Sequence, residues 1–188
     1  MRANLMLEFP KPYADFVARF RVPAGFLLLA AFAYFSRPSV SAIEIGLPVS
    51  IVGLGLRAWA AGCLAKNEQL VRSGPYAYTR NPLYLGTLLA AAGLAVAARS
   101  PGLGMLFGVV FLLVYLPVIQ LEEQHLRSLF PGYGAYAARV PALWPHLSRL
   151  PGENPNPFRF DMYLRNREYQ ASAAFLAATA LLFWKARG

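Results

Sequence analysis

A chain of 188 residues that is 57% hydrophobic and only 14% charged carries more apolar surface than one soluble core of that size hides, since soluble domains average roughly 45–50% apolar and about 25% charged residues. Its mean hydropathy of +0.40 agrees, and its one cysteine, Cys63, excludes an internal disulfide and any multi-cysteine metal site. The formal net charge of +9 sits on basic residues between apolar runs, which is the pattern of membrane flanks and not of nucleic-acid binding.

In chain order, the first apolar run covers residues 22–35 and reaches a spanning length only by borrowing from 16–20, with Arg19 and Arg21; a span needs about 20 mostly apolar residues. The run lies behind a polar stretch and no small-residue cleavage site follows it, so no secretory leader is expected. Residues 43–65 form a second run that carries Glu44 and Arg57. Runs 83–98 and 103–121 are parted by Arg99-Ser100-Pro101-Gly102, a breaker tight enough to force a helical hairpin. After a polar loop at Pro151-Gly152-Glu153-Asn154-Pro155-Asn156-Pro157, the Ala-rich run 169–184 lies between Arg165, Arg167 and Glu168 on one side and Lys185 and Arg187 on the other. It reads as a span ending on an interfacial Phe183-Trp184 anchor, or else as an amphipathic helix lying on the membrane surface.

The expectation is an all-α, polytopic membrane protein with about five transmembrane helices, a single membrane domain over 1–188 with a C-terminal helix at 167–188. Alternating spans gather Arg2, Lys11, Arg19, Arg21, Lys66, Arg72, Arg80, Arg127, Arg139, Arg149, Arg159, Arg165 and Arg167 on one side, and Arg37, Arg99, Lys185 and Arg187 on the other. The positive-inside bias puts the first group and the N-terminus in the cytoplasm, and the C-terminus opposite. Gly46, Gly53, Gly55, Gly62, Gly86, Gly93, Gly104 and Gly108 are small residues of the kind that let helices approach closely.

Two polar segments meet the cytoplasmic face. Segment 66–82 holds the Gly74-Pro75 turn signal and Arg80-Asn81-Pro82. Pro82 biases Asn81 away from helix and opens the next helix at its first turn. Arg80 and Asn81 then flank a helix N-terminus, where unpaired N–H groups suit an anionic group. Tyr84 and Gly86 follow, offering a hydroxyl or ring face and room for a flat ligand. Segment 122–136 opens with Glu122-Glu123 directly after an apolar run, where a carboxylate is costly unless paired or solvated. Successive helical residues face about 100° apart, so only one of the two points squarely inward. Partners for them are Arg80, Arg127 or a cationic ligand. His125 lies in half of a metal motif but lacks the second helical histidine, and no metal is expected.

At these two segments the chain resembles the isoprenylcysteine carboxyl methyltransferase and phospholipid methyltransferase superfamily. The first half of the family pattern stands as Leu70, Val71, Gly74, Pro75, Tyr76, Tyr78, Arg80, Asn81, Pro82, Tyr84 and Gly86. The second stands as Glu122, Glu123, Leu126, Phe130, Tyr133, Tyr136, Val140 and Pro141. The resemblance covers roughly 70–145, inside a catalytic core at 66–146. It departs in two places: Asn81 replaces the family's histidine, and Phe130-Pro131-Gly132 replaces its Phe-Gly. Asparagine donates and accepts hydrogen bonds but does not titrate.

The resemblance implies a cytoplasmic-side pocket for S-adenosyl-L-methionine, lined by Glu68, Leu70, Val71, Tyr76, Asn81, Pro82, Leu83, Tyr84 and Glu122. Glu122 would hold the cofactor's positive charge, and the backbone near Leu70 and Val71 its adenine. Arg80 and Glu123 are the candidate catalytic pair, Glu123 as the base that an amine acceptor would require. A lipidic or prenylated acceptor would enter sideways from the bilayer. The basic residue that the prenylcysteine enzymes carry shortly before the Glu pair is missing from Pro117, Val118, Ile119 and Gln120. Two other readings are an NADPH-dependent membrane sterol-type reductase, opposed by Leu83 and Thr87 at two of its motif positions, and a non-catalytic scaffold, with Asn81 as its one hint.

Overall fold

The computed structural model describes residues 9–146 and 157–187. Arg2, Arg149 and residues 151–156 of the expected polar loop lie outside the described residues. Among those described, every regular element is helical, as expected.

Helix α1 (Lys11–Phe35) bends by 54° between its Lys11–Phe20 and Val22–Phe35 halves. Pro23 sits at the bend; it lacks an N–H and its ring pushes against the preceding turn. Helix α2 (Val40–Cys63) is capped by Ser39, whose hydroxyl accepts from the Ala42 amide at 3.4 Å. Helix α3 (Pro82–Ala97) ends where Arg99 takes a left-handed conformation with φ 49°. The chain turns at once into α4 (Pro101–Val110), capped by Ser100, so the hairpin expected from the breaker forms. A π turn at Phe111–Tyr115 joins α4 to α5 (Leu116–Leu129), making one continuous 29-residue helix, Pro101–Leu129. Short helices α6 (Tyr133–Arg139) and α7 (Phe160–Arg165) precede α8 (Tyr169–Arg187).

By length and composition, α2 and the α4–α5 helix are long and apolar enough to cross a membrane, and the bent α1 makes up to three. The expected count of about five is not reached on this test. Helix α3 has 16 residues, about 24 Å at ~1.5 Å per residue, against a hydrocarbon core of about 30 Å. Helix α8 has the length, but its alanines add little hydropathy and it is not among the qualifying helices. It nevertheless runs the height of the bundle. Glu168, just before α8, pairs with Arg57 near the end of α2, while Lys185 donates to the Ala33 carbonyl at the far end of α1. Large side chains on the outer faces stay exposed, among them Phe26, Leu27, Ile45, Val52 and Met105, the apolar exterior of a membrane protein.

Helices α2 and α3 pack backbone to backbone along a seam of small residues. A Cβ on Gly53 would come within 2.6 Å of the Gly86 carbonyl oxygen, and one on Gly86 within 2.6 Å of the Gly53 oxygen. Gly46 and Gly93 meet in the same way, and the Ser50 hydroxyl donates to the Ala90 carbonyl at 2.9 Å. Gly55 and Gly108 face open space. Gly53→Val therefore has no flexible neighbour to displace, and we expect it to lower stability by about 1–3 kcal/mol or more. Gly55→Val is expected to be near neutral. Melting of the detergent-solubilised variants checks this; equal losses would refute the seam.

Candidate functional site

The seam places the N-terminus of α3 beside the C-terminus of α2, and the link between them folds over that end of the bundle. Gly74 has φ +60°, a left-handed conformation that costs a side chain and not glycine, and opens a single 3-10 turn, Gly74–Ala77. The turn buries Tyr76 and leads into Arg80-Asn81, with Pro82 in the first turn of α3 as expected. Segment 140–146 lies along this link. The Arg80 amide donates to the Pro141 carbonyl at 2.9 Å, Thr79 Oγ1 to the Ala142 and Leu143 carbonyls, and the His146 amide to the Tyr78 carbonyl at 2.9 Å. Tyr133, Tyr136, Ala137 and Val140 pack as a core against Leu70, Leu126 and Phe130, and the Tyr136 hydroxyl donates to the Tyr76 carbonyl at 2.8 Å. The two motif segments are thus one folded unit.

Between them is a cavity of about 450 Å³, within the usual range of roughly 300–1,000 Å³ for small-molecule sites. Of the expected site residues, Leu70, Val71 and Tyr76 line it from the link, Arg80, Asn81, Pro82, Leu83 and Tyr84 from the start of α3, and Glu122 from α5. The Tyr84 hydroxyl donates to Glu122 Oε1 at 2.9 Å across the space. The Tyr76 hydroxyl is buried without a hydrogen-bond partner among the described residues. Burial pushes its pKa up, so the hydroxyl stays protonated.

Two expected residues are placed elsewhere. Glu68 follows the left-handed Asn67 (φ 62°) and turns outward into an exposed ion pair with Arg165 at 2.5 Å, while its neighbours Asn67 and Gln69 line the cavity. Glu123 is buried on the other side of α5 and does not line the cavity. Its Oε1 lies 2.9 Å from Arg80 Nε and accepts from Asn81 Nδ2 at 3.2 Å. The Arg80 guanidinium forms an ion pair there, and its Nη1 donates to the Ala137 carbonyl at 2.8 Å. Asn81 Nδ2 is shared between Glu123 and the Ala142 carbonyl, 2.9 Å away. Arg80 and Glu123 are therefore brought together as a buried pair at the cavity wall, Arg80 lining it and Glu123 behind, and Glu122 is the one carboxylate lining it among the described residues.

Sequence reasoning gave no place in the pocket to Val118, Leu121 and His125, nor to the motif residue Leu126, all of which continue the Glu122 face of α5 along the cavity. Their helical spacing from Glu122 was a usable signal. Ala18 of α1 also lines the cavity and left no signal. Tyr133 and Tyr136 were part of the motif without an assigned place; both line it too.

Beside this cavity lies a second one of about 370 Å³, lined by apolar residues of α1, α2, α3, α4 and α8 together with Arg57, Thr87 and Tyr115. Arg57 forms a fork on Glu168 (Nε–Oε1 2.5 Å, Nη2–Oε2 2.9 Å) and reaches the Leu83 carbonyl at 3.2 Å and the Thr87 hydroxyl. Tyr84 of the first cavity and Tyr115 of the second meet edge to face, their centroids 6.1 Å apart. Among the described residues no three His, Cys, Asp or Glu side chains gather as metal ligands would.

The sequence pattern of the phospholipid methyltransferase family matches residues 24–132, more than half of the chain and most of both cavities. The chain is 30% identical over 170 residues to the nickel-cobalt-cadmium resistance protein NccN of Alcaligenes xylosoxydans xylosoxydans, covering 84% of this chain and 79% of that protein. It is 38% identical over 122 residues to the cobalt-zinc-cadmium resistance protein CzcN of Cupriavidus metallidurans, covering 64% of this chain and 56% of that protein. No solved structure matches the chain.

Proposed function

Because the chain belongs to the phospholipid methyltransferase family, we propose that it transfers a methyl group from S-adenosyl-L-methionine to a lipidic or lipidated acceptor reaching the site from within the bilayer. The observation that carries this reading is one cavity built from both motif segments, with the Glu122 carboxylate facing a largely apolar wall. These groups fit the cofactor. Glu122 offers a charge to a cationic group, and Leu70, Val71, Tyr76 and Leu83 a largely apolar surface to a flat ring. When bound, the cofactor supplies an activated methyl group on a positively charged sulfur. The protein's task is then alignment and exclusion of water, and the described residues carry it. Tyr84, tied to Glu122 and touching Tyr115, stands between the cofactor cavity and the apolar one, where the acceptor's hydrocarbon part would lie.

A carboxylate acceptor is already ionised near neutral pH and requires no base. An amine acceptor must shed a proton, and Glu122, unlike Glu123, lines the cavity where that would happen. The basic residues at the cavity end, among them Lys66, Arg72, Arg139 and Arg165, favour an orientation with that end in the cytoplasm. The names of the two relatives state resistance to metals and name no reaction; the cavity is what supports methyl transfer here.

The test is binding measured by calorimetry on the detergent-purified protein. S-adenosylhomocysteine is expected to bind wild type, and Glu122→Ala and Glu122→Gln to bind it more weakly. For Glu122 the loss is about 1.5–3 kcal/mol, the usual worth of a hydrogen bond to a charged group, or roughly 10–150-fold in Kd. Unchanged affinity in both variants would overturn the site, and binding of NADPH in preference to S-adenosylhomocysteine would overturn the cofactor.

A further inference from the structure

We infer that the Lys11–Phe20 half of α1 is a lipid-seated wall of the cavity, with its Phe16–Phe20 edge docked in the bilayer just beneath the headgroups and its opposite edge clamped to α5. On the inner edge Ala14 and Val17 are buried and Ala18 lines the cavity. The clamp uses three hydrogen bonds. The Phe9 amide donates to Gln120 Oε1 at 2.8 Å, and Gln120 Nε2 donates back to the Phe9 carbonyl at 2.9 Å. The Tyr13 hydroxyl donates to the Leu113 carbonyl at 2.8 Å. Pro117, four residues on, has no N–H to give that carbonyl.

The outer edge is apolar and uncovered. Phe16 and Phe20 are 58% and 48% exposed, and their rings pack at 4.8 Å. At helical spacing this edge leads on to Leu27, 72% exposed on the second half of α1, so it is continuous with the span's own lipid-facing surface. The dimensions agree. The Val22–Phe35 half is about 21 Å long at ~1.5 Å per residue, short of the roughly 30 Å hydrocarbon core. Bent by 54°, the Lys11–Phe20 half climbs only about 9 Å further along the same axis. Lys11 then arrives near the headgroups, and the exposed Arg19 can extend its stem up to them. Both cations suit an anionic surface. This inference does not depend on what the cavity binds.

The test uses Phe16→Cys labelled with an environment-sensitive fluorophore and reconstituted into vesicles of phosphatidylcholine and phosphatidylglycerol. Cys63 is buried, so the unsubstituted protein measures the background. Asp15→Cys is the comparison, and Phe20→Cys repeats the measurement if the first variant does not fold. The label at 16 is expected to emit to the blue of the label at 15. It should lose more intensity to a lipid spin-labelled near its carbonyl end than to aqueous iodide, with the reverse order at 15. Iodide quenching at 16 equal to that at 15 would place the edge in water. A label at 16 shielded from both quenchers would mean that a second copy or another protein covers it. Either result overturns the inference.

Discussion

Replacing Arg80 with methionine is expected to lower the unfolding free energy by about 3–5 kcal/mol, the cost of leaving a buried charge without its partner. The Arg80 side chain is 1% exposed and spends its guanidinium on Glu123 and the Ala137 carbonyl. Once it is gone, Glu123 keeps the Asn81 amide as a donor and loses its ion-pair partner. Glu123→Leu alone should cost a comparable amount for the mirrored reason. The double variant Arg80→Met/Glu123→Leu should recover most of the loss, because an apolar pair of similar volume is often no less stable than a buried ion pair. Denaturant unfolding of the four proteins in detergent measures the cycle. Additive losses, or a cost for Arg80→Met below about 1 kcal/mol, the ceiling for exposed pairs, would show that the pair does not hold the wall of the site.

The second large effect belongs to Glu168. Its carboxylate holds Arg57 in a two-bond fork at the edge of an apolar cavity, and the same guanidinium reaches the Leu83 carbonyl in the first turn of α3. Glu168→Ala leaves that cation facing hydrocarbon. Arg57 is 22% exposed, so some screening remains, and a loss of about 2–4 kcal/mol is expected, somewhat under that for a fully buried pair. The start of α8 should loosen with it. Trypsin is expected to cut at Arg165 and Arg167 faster in the variant than in wild type, with the melting midpoint lowered in parallel. Glu168→Gln, which keeps the shape and loses the charge, should fall between the two. Wild-type melting and wild-type cleavage in Glu168→Ala would remove the fork from the account of how α8 is held.

Much of this architecture is written in local signals. Pro82 opens α3, Gly74 takes the left-handed turn, and Ser100-Pro101 starts the return helix. The glycines at 46, 53, 86 and 93 mark the seam. These are readable because the backbone conformation depends on the residue itself or on its close neighbours. What was not readable depends on residues far apart in the chain. Arg57 looked like a charge stranded in a span, and its partner stands 111 residues away. The Phe9–Gln120 clamp is equally remote. Helical geometry said that only one of Glu122 and Glu123 would point into a pocket, but which one is decided by where Arg80 and Tyr84 come to rest. Hydropathy counted runs well and spans less well. It cannot see that an alanine-rich α8 still reaches Lys185 beside the end of α1.

Asn81 carries a consequence of its own. Its amide ties Glu123 to the Ala142 carbonyl, so it joins α3, α5 and the segment after α6 at one nitrogen. A histidine in that place would change charge between about pH 5 and 8, and would tighten or loosen the same three elements as the proton came and went. An amide does not titrate. Asn81's own two links therefore keep the same charge in mildly acidic and mildly alkaline surroundings, and proton concentration does not act on the cavity through that position.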